Sequence, residues 1–247
     1  KRYEVNVFID HSQTHGAPVV FETNPTYYNL VGRLDYRASF GALVTSFQQI
    51  KPGALHRANG GFLVLRATDL LRVPFAWDSL KRALLSHAVT IENLGEQCTA
   101  LPTETLRPEP IPLSLKIILI GPLQVYHLLY ELDEDFQELF KVKADFAPEM
   151  DWTQAQVLNY AAFISGCVRQ AQLLPFSRGA VARVVEYGAR LREDKRKLST
   201  RLLDISDIVT EASFWARRAD QPIVRTEDVA QAIAKKAYRS NLVEERI

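Results

Sequence analysis

Cysteine, methionine and long apolar runs are all scarce in this sequence. The two cysteines, Cys98 and Cys167, stand far apart and form no paired spacing. That excludes a disulfide framework and a cysteine-based zinc site, and it suits a reducing compartment. No apolar run approaches the roughly 18 residues that a membrane-spanning helix needs. The opening Lys1-Arg2-Tyr3-Glu4-Val5 has a basic pair, but Glu4, Asn6 and Asp10 interrupt any apolar region, so it does not read as a signal peptide. Neither sign of charge is in excess: 30 basic against 29 acidic residues leave a net +1. Bulk electrostatics therefore point to neither a nucleic-acid nor a membrane partner. Five histidines, at 11, 15, 56, 87 and 127, lack metal-ligand spacing. Asp10-His11-Ser12 is not a triad, since neighbours on a strand face opposite sides. There is no G-x-x-x-x-G-K-[ST] loop, and none of the 11 glycines is followed by lysine. A backbone cradle for phosphates is therefore missing. The first residue is not Met, so the chain is expected to be a piece of a longer polypeptide.

What is present is an ordinary globular composition, 47% hydrophobic and 24% charged. Val5–Asp10 is a strand candidate. Phe40–Phe47 reads as a second strand or a hairpin arm, after aromatic-rich Tyr27–Tyr36. From His56 to Leu71, H-R-A-N-G-G-F-L-V-L-R-A-T-D-L-L reads as a turn, a buried strand and a polar strand end. Trp77–Leu85 has helical spacing, and Val89–Ile91 is a short strand. Four prolines between Leu101 and Pro112 force loop or extended chain. Leu115–Ile120 is the most apolar strand and ends at Gly121-Pro122. Gln124–Phe140 is largely helical, and Val142–Phe146 is a last strand candidate. Beyond Asp151 helical periodicity dominates, with helices expected near 153–171, 177–193, 199–219 and 226–237. The expected division is 1–150 as an α/β part, 151–240 as an all-α lid and 241–247 as the start of a linker.

That order resembles an AAA+ module, a parallel sheet followed by a helical lid. N-P-T-Y-Y-N-L-V-G-R-L-D-Y at 24–36, K-P-G-A-L-H-R-A-N-G-G-F-L-V-L at 51–65 and R-P-E-P-I-P-L-S-L-K-I-I-L-I-G at 107–121 are similar to the ATPase region of Lon-like proteases. So are D-E-D-F-Q-E-L-F-K-V-K-A-D-F at 133–146 and Y-R-S-N-L-V-E-E-R-I at 238–247. The resemblance covers nearly the whole chain and points to the Lon-like group with an unusual AAA+ region. It implies that the strand feeding the phosphate loop lies upstream of Lys1, leaving a gap in the sheet. It also implies that a Ser-Lys protease domain follows the last residue.

The resemblance places a nucleotide site on several residues, most of them altered. An Asp-Glu pair is expected at the strand end where Arg66-Ala67 stand. An arginine repels Mg²⁺ and an alanine orients no water. Asp69 is a candidate compensating ligand, or else the start of a helix. Gly121-Pro122 occupy the place of a polar γ-phosphate sensor and offer no side-chain hydrogen bond. Gln137 appears where an arginine finger is common, with Lys141 or Lys143 as weaker sources of charge. Arg201, in Ser199-Thr200-Arg201, matches the lid arginine that contacts nucleotide. Tyr36 and Phe40 are candidates for gripping polypeptide, with a buried hairpin core as the rival reading.

The expectation is thus a ring scaffold, hexameric by resemblance and cytoplasmic, that presents unfolded polypeptide to a protease domain. It has no metal site and no hydrolysis of its own. ATP or ADP belongs to the full-length protein if to anything. An active ATPase completed upstream, a non-catalytic assembly module, and more weakly a transcription-activator ATPase remain as alternatives.

Overall fold

A computed structural model describes residues 5–39, 42–92 and 106–240. The chain divides into two compact units between Lys143 and Ala144. In the first, β1 (Val19–Glu22), α1 (Tyr27–Val31), β2 (Arg33–Leu34), β3 (Arg37–Ser39), β4 (Ala42–Val44), β5 (Ile50–Lys51) and α2 (Ala54–Arg57) lead to β6 (Phe62–Arg66). There follow α3 (Ala67–Leu71), α4 (Ala76–Leu85), β7 (Ala88–Val89), β8 (Ile111–Pro112), β9 (Lys116–Ile120), α5 (Leu123–Leu132) and α6 (Phe136–Leu139). The second unit holds β10 (Glu149–Asp151), α7 (Gln154–Gln170), α8 (Arg178–Arg190), β11 (Lys197–Ser199), α9 (Leu202–Arg218) and α10 (Thr226–Ser240). The division drawn from sequence at Met150 falls inside β10.

The central sheet is parallel, in the order β1-β6-β9. Its register aligns Val19 with Phe62 and Lys116, and Phe21 with Val64 and Ile118. Alternation sends Leu63 and Leu65 into the core beside Val20, Ile117 and Leu119, where Leu30, Leu55, Leu70 and Leu80 from the helices meet them. The opposite face carries Val19, Phe21, Phe62, Ile118 and Ile120, all exposed. A parallel sheet is ordinarily buried on both faces; here the described residues cover one. The strand enters through Gly60-Gly61. Gly60 has φ +83°, and a Cβ on Gly61 would run into the Pro18 carbonyl oxygen.

Two expected strands are corrected. Val5–Asp10 is not a strand, and among the described residues it pairs with none. Its alternation persists: Val5 and Val7 point outward, Asn6 donates its side-chain amide to Phe47 O at 2.9 Å, and Phe8 packs on His56. Side-chain anchors thus replace the backbone ladder. Val142–Phe146 is also not a strand. Val142 and Phe146 are 90% and 95% exposed, and among the described residues no strand lies beside this segment to pair with it. Within 40–47, β4 is the second arm of the β3–β4 hairpin, as the hairpin-arm alternative for that segment expects. Gln124–Phe140 breaks into α5 and α6 at Asp133.

The second unit follows its sequence signals closely. Thr153 and Ser177 cap α7 and α8, accepting from the Gln156 and Ala180 amides at 3.3 and 3.2 Å. Asp228 reaches back to the Arg225 amide at 2.8 Å and closes the start of α10. Tyr160, Ile164, Val184, Ile205, Ile208 and Val229 fill the core between the helices. The β10–β11 pair closes one side, reinforced by Arg192 to Glu149 at 2.7 Å.

Candidate functional site

The strand ends come together as the register requires. Arg66 ends β6 opposite Ile120 of β9, so the residues that follow, Ala67 and Gly121, are neighbours. A Cβ built on Gly121 would lie 3.2 Å from the Ala67 Cβ. Ala67 is buried while Arg66, Gly121 and Pro122 are exposed. Ala67 opens α3 and Pro122 opens α5. Pro suits that position, since its fixed φ and missing N–H cost nothing before the first turn.

The chemistry of this cluster is one guanidinium, one methyl, one hydrogen and one pyrrolidine ring. None offers oxygen to a hard cation, which takes carboxylate, carbonyl or water ligands. Asp69 is the nearest carboxylate in sequence. It sits half-buried in the first turn of α3, where a negative charge complements the helix dipole. Among the described residues no cluster of three or more His, Cys, Asp or Glu side chains is placed to hold a metal ion. The side chains at these strand ends offer no oxygen ligand to a magnesium–nucleotide.

The other expected site residues stand on other elements. Gln137, on α6, donates its side-chain amide to Tyr130 O at 3.1 Å and so ties α6 to α5. Lys141 is exposed just beyond α6. Tyr36 is half-buried immediately before the β3–β4 hairpin, and Phe40 lies outside the described residues. Arg201 belongs to the second unit. It is the N-cap position of α9, its amide donates to Ser199 Oγ at 3.1 Å, and its side chain is exposed.

Two arrangements were not foreseen from sequence. The first is His56, 3% exposed. Its Nδ1 accepts from the Gly53 amide at 3.2 Å, which leaves the proton on Nε2, a buried atom without a hydrogen-bond partner among the described residues. The Phe8 ring stands edge-to-face with the imidazole at 4.8 Å between centroids. Burial pulls His56 down to about 4, so the ring is neutral near pH 7. The second is a polar bridge from α4 to the α5–α6 junction. Trp77 Nε1 donates to Asp133 Oδ2 at 2.6 Å, and Lys81 reaches both Asp133 and Asp135. The one sequence signal was the four-residue spacing of Trp77 and Lys81, which puts both on the same face of α4. Around the bridge, Trp77 stacks on Phe140, and Phe140 on Phe136.

Comparison with known proteins agrees with this architecture. Residues 15–147 match the family model described as LonB-like, AAA domain, and residues 175–239 match that of the archaeal LonB AAA+ ATPase lid domain. An archaeal Lon protease of Thermoplasma volcanium is 22% identical over 93% of this chain and 35% of its own length. That of Thermococcus kodakarensis is 24% identical over 92% of this chain and 36% of its own. A putative Lon protease homolog of Haemophilus influenzae is 26% identical over 74% of this chain and 30% of its own. The chain thus spans about a third of the length of these relatives. The crystal structure of NtrX from Brucella abortus in complex with ADP superposes with a TM-score of 0.52 at 16% identity, covering 86% of this chain and 42% of that one. That likeness concerns the α/β AAA+ fold alone. No helix among the described residues is long and apolar enough to cross a membrane. With a parallel sheet, a helical lid and a family model matched over more than half its residues, the chain belongs to the LonB-like AAA+ family.

Proposed function

We propose that this chain is the AAA+ region of a Lon-like, ATP-dependent serine protease, acting as a scaffold whose own nucleotide site is too altered to hydrolyse ATP. The observation that carries this reading is the juxtaposition of Arg66-Ala67 with Gly121-Pro122 at neighbouring strand ends, where no side-chain oxygen is available to a metal or a water. In this reading the module assembles as a homo-oligomeric ring and hands unfolded polypeptide to a Ser-Lys protease domain elsewhere in the full-length protein. Tyr36 and Phe40 face that polypeptide, and Arg201 responds to nucleotide without promoting its hydrolysis. Gln137, already bonded to Tyr130 O, cannot supply the cationic finger, and Lys141 lacks the guanidinium fork.

The deciding measurement is ATP turnover by the full-length protein, wild type and Asp69→Ala, together with degradation of an unfolded protein. The scaffold reading expects negligible turnover in both and degradation unaffected by Asp69→Ala. Clear turnover that Asp69→Ala abolishes would establish the rival reading, an active ATPase in which Asp69 replaces the lost pair. A Phe40→Ala variant that degrades unfolded protein at the wild-type rate would instead favour a non-catalytic assembly module.

A further inference from the structure

The outer face of the α9–α10 pair carries an aromatic and cationic groove that the packing of the lid does not use. It is lined by Trp215, Arg218 and Ala219 from the end of α9 and by Gln231 and Lys235 from α10. The Arg218 guanidinium lies 5.4 Å from the Trp215 ring centroid, and Lys235 Nζ lies 5.8 Å from that of Tyr238. Phe214, edge-to-face with Trp215, is 55% exposed, and Tyr238 is 70% exposed. Aromatic side chains are enriched at interaction sites relative to the rest of a protein surface.

The charges say what fits. Glu211, the acid closest to this groove along α9, is already committed. It takes a two-pronged contact from Arg239 at 2.9 and 2.6 Å and the Trp215 indole N–H at 3.4 Å. That contact holds the indole in place and removes the carboxylate as a partner for other cations. Neither Arg218 nor Lys235 has an ion-pair partner among the described residues. A guanidinium stacked on a ring keeps its in-plane N–H donors available to a carboxylate fork. The positive strip is short: Arg218 and Lys235 are the charged residues of the lining. A nucleic-acid backbone, which engages a run of about 6–10 phosphates, would find two cations there, whereas two carboxylates of a short acidic peptide match them one to one.

We propose that the α9–α10 groove docks a short acidic peptide segment of a partner protein, with carboxylates on Arg218 and Lys235 and apolar side chains on Phe214 and Tyr238. The site lies wholly within the lid. The test is fluorescence anisotropy with the full chain and a dye-labelled eight-residue peptide alternating glutamate with leucine and phenylalanine. Two controls accompany it: the same peptide with lysine in place of glutamate, and a twelve-nucleotide oligothymidylate. The acidic peptide should bind, and raising the salt should weaken it. Arg218→Glu with Lys235→Glu should reduce its affinity at least tenfold at an unchanged melting temperature. If the double variant unfolds, Arg218→Gln alone should still lower affinity severalfold. The proposal fails if the acidic peptide does not bind, if the lysine peptide binds as well, if folded charge variants bind like wild type, or if the oligonucleotide binds more tightly.

Discussion

Lys81 Nζ sits 3.1 Å from Asp133 Oδ1 and 2.9 Å from Oδ2, joining α4 to the turn between α5 and α6 across 52 residues of sequence. Burial opposes charge on both groups, yet the hydrogen bonds prevail. Lys81 is held above its ordinary range despite desolvation, by Asp133 and Asp135, and Asp133 below its own by Lys81 and the Trp77 indole. Asp133 is therefore the keystone of this junction, since it serves a lysine, an indole N–H and the Asp135 amide at once.

Asp133→Ala should destabilise the first unit by about 2 kcal/mol, because it leaves the Trp77 indole donor unpaired and takes from a partly buried Lys81 one of its two carboxylates, leaving Asp135. Asp133→Asn should recover part of the loss through the Trp77 contact. Urea melts followed by tryptophan fluorescence would measure both. The sign with pH follows from a depressed carboxylate. The contribution is complete above the unfolded value near 3.8 and disappears as pH falls through the lower folded value.

His56 makes the first unit acid-sensitive at a milder pH. Its folded value, about 4, lies below the unfolded 6.5, so between these the unfolded chain binds the extra proton. Stability should be full above pH 6.5, fall as pH drops toward 4 and lose no more from this group below that. The total is on the order of 3 kcal/mol. His56→Gln should flatten this portion of the stability–pH profile. NMR of the imidazole carbons should show His56 neutral at pH 6, where an exposed histidine is largely protonated.

Phe8→Ala should loosen the Val5–Asp10 segment without unfolding the sheet, because the segment is held by side-chain anchors rather than a ladder. Amide exchange in residues 5–10 should accelerate, while protection in Phe62–Arg66 should remain.

At the strand ends, Ala67→Leu should cost about 1–3 kcal/mol by overpacking against the chain at Gly121, with thermal melting as the readout. In the lid, Tyr160→Phe should cost about 1–2 kcal/mol, since it leaves the buried Ser199 carbonyl without the phenol donor. Burial alone pushes that phenol up to about 12, so the loss should not vary between pH 6 and 9. Denaturation curves at both pH values would check this.

Much of the fold was legible in local pattern. The apolar periodicity of the lid set all four helices to within a few residues, with Thr153 and Ser177 at their starts, because caps and helical faces are properties of neighbouring residues. Gly60-Gly61 and the run to Leu65 marked the central strand for the same reason. Val5–Asp10 and Val142–Phe146 misled because extended pattern is necessary for a strand but not sufficient. A ladder needs a neighbour, and that is a long-range fact. At the candidate site, the identities of Arg66, Ala67, Gly121 and Pro122 were readable as residue types. Their adjacency was not readable without the β6–β9 register.

The sequence alone thus determined the order of elements, the buried alternation of the central strands and the absence of oxygen ligands at two strand ends. These depend on side-chain chemistry and short-range periodicity. Tertiary structure alone decided that Ala67 meets Gly121, that His56 is a neutral buried ring under Phe8, and that Asp133 receives both Trp77 and Lys81. Each depends on which distant segments pack together. The cost of burying a polar group then selects the partner that satisfies it, and for His56 Nε2 none among the described residues does so by a hydrogen bond.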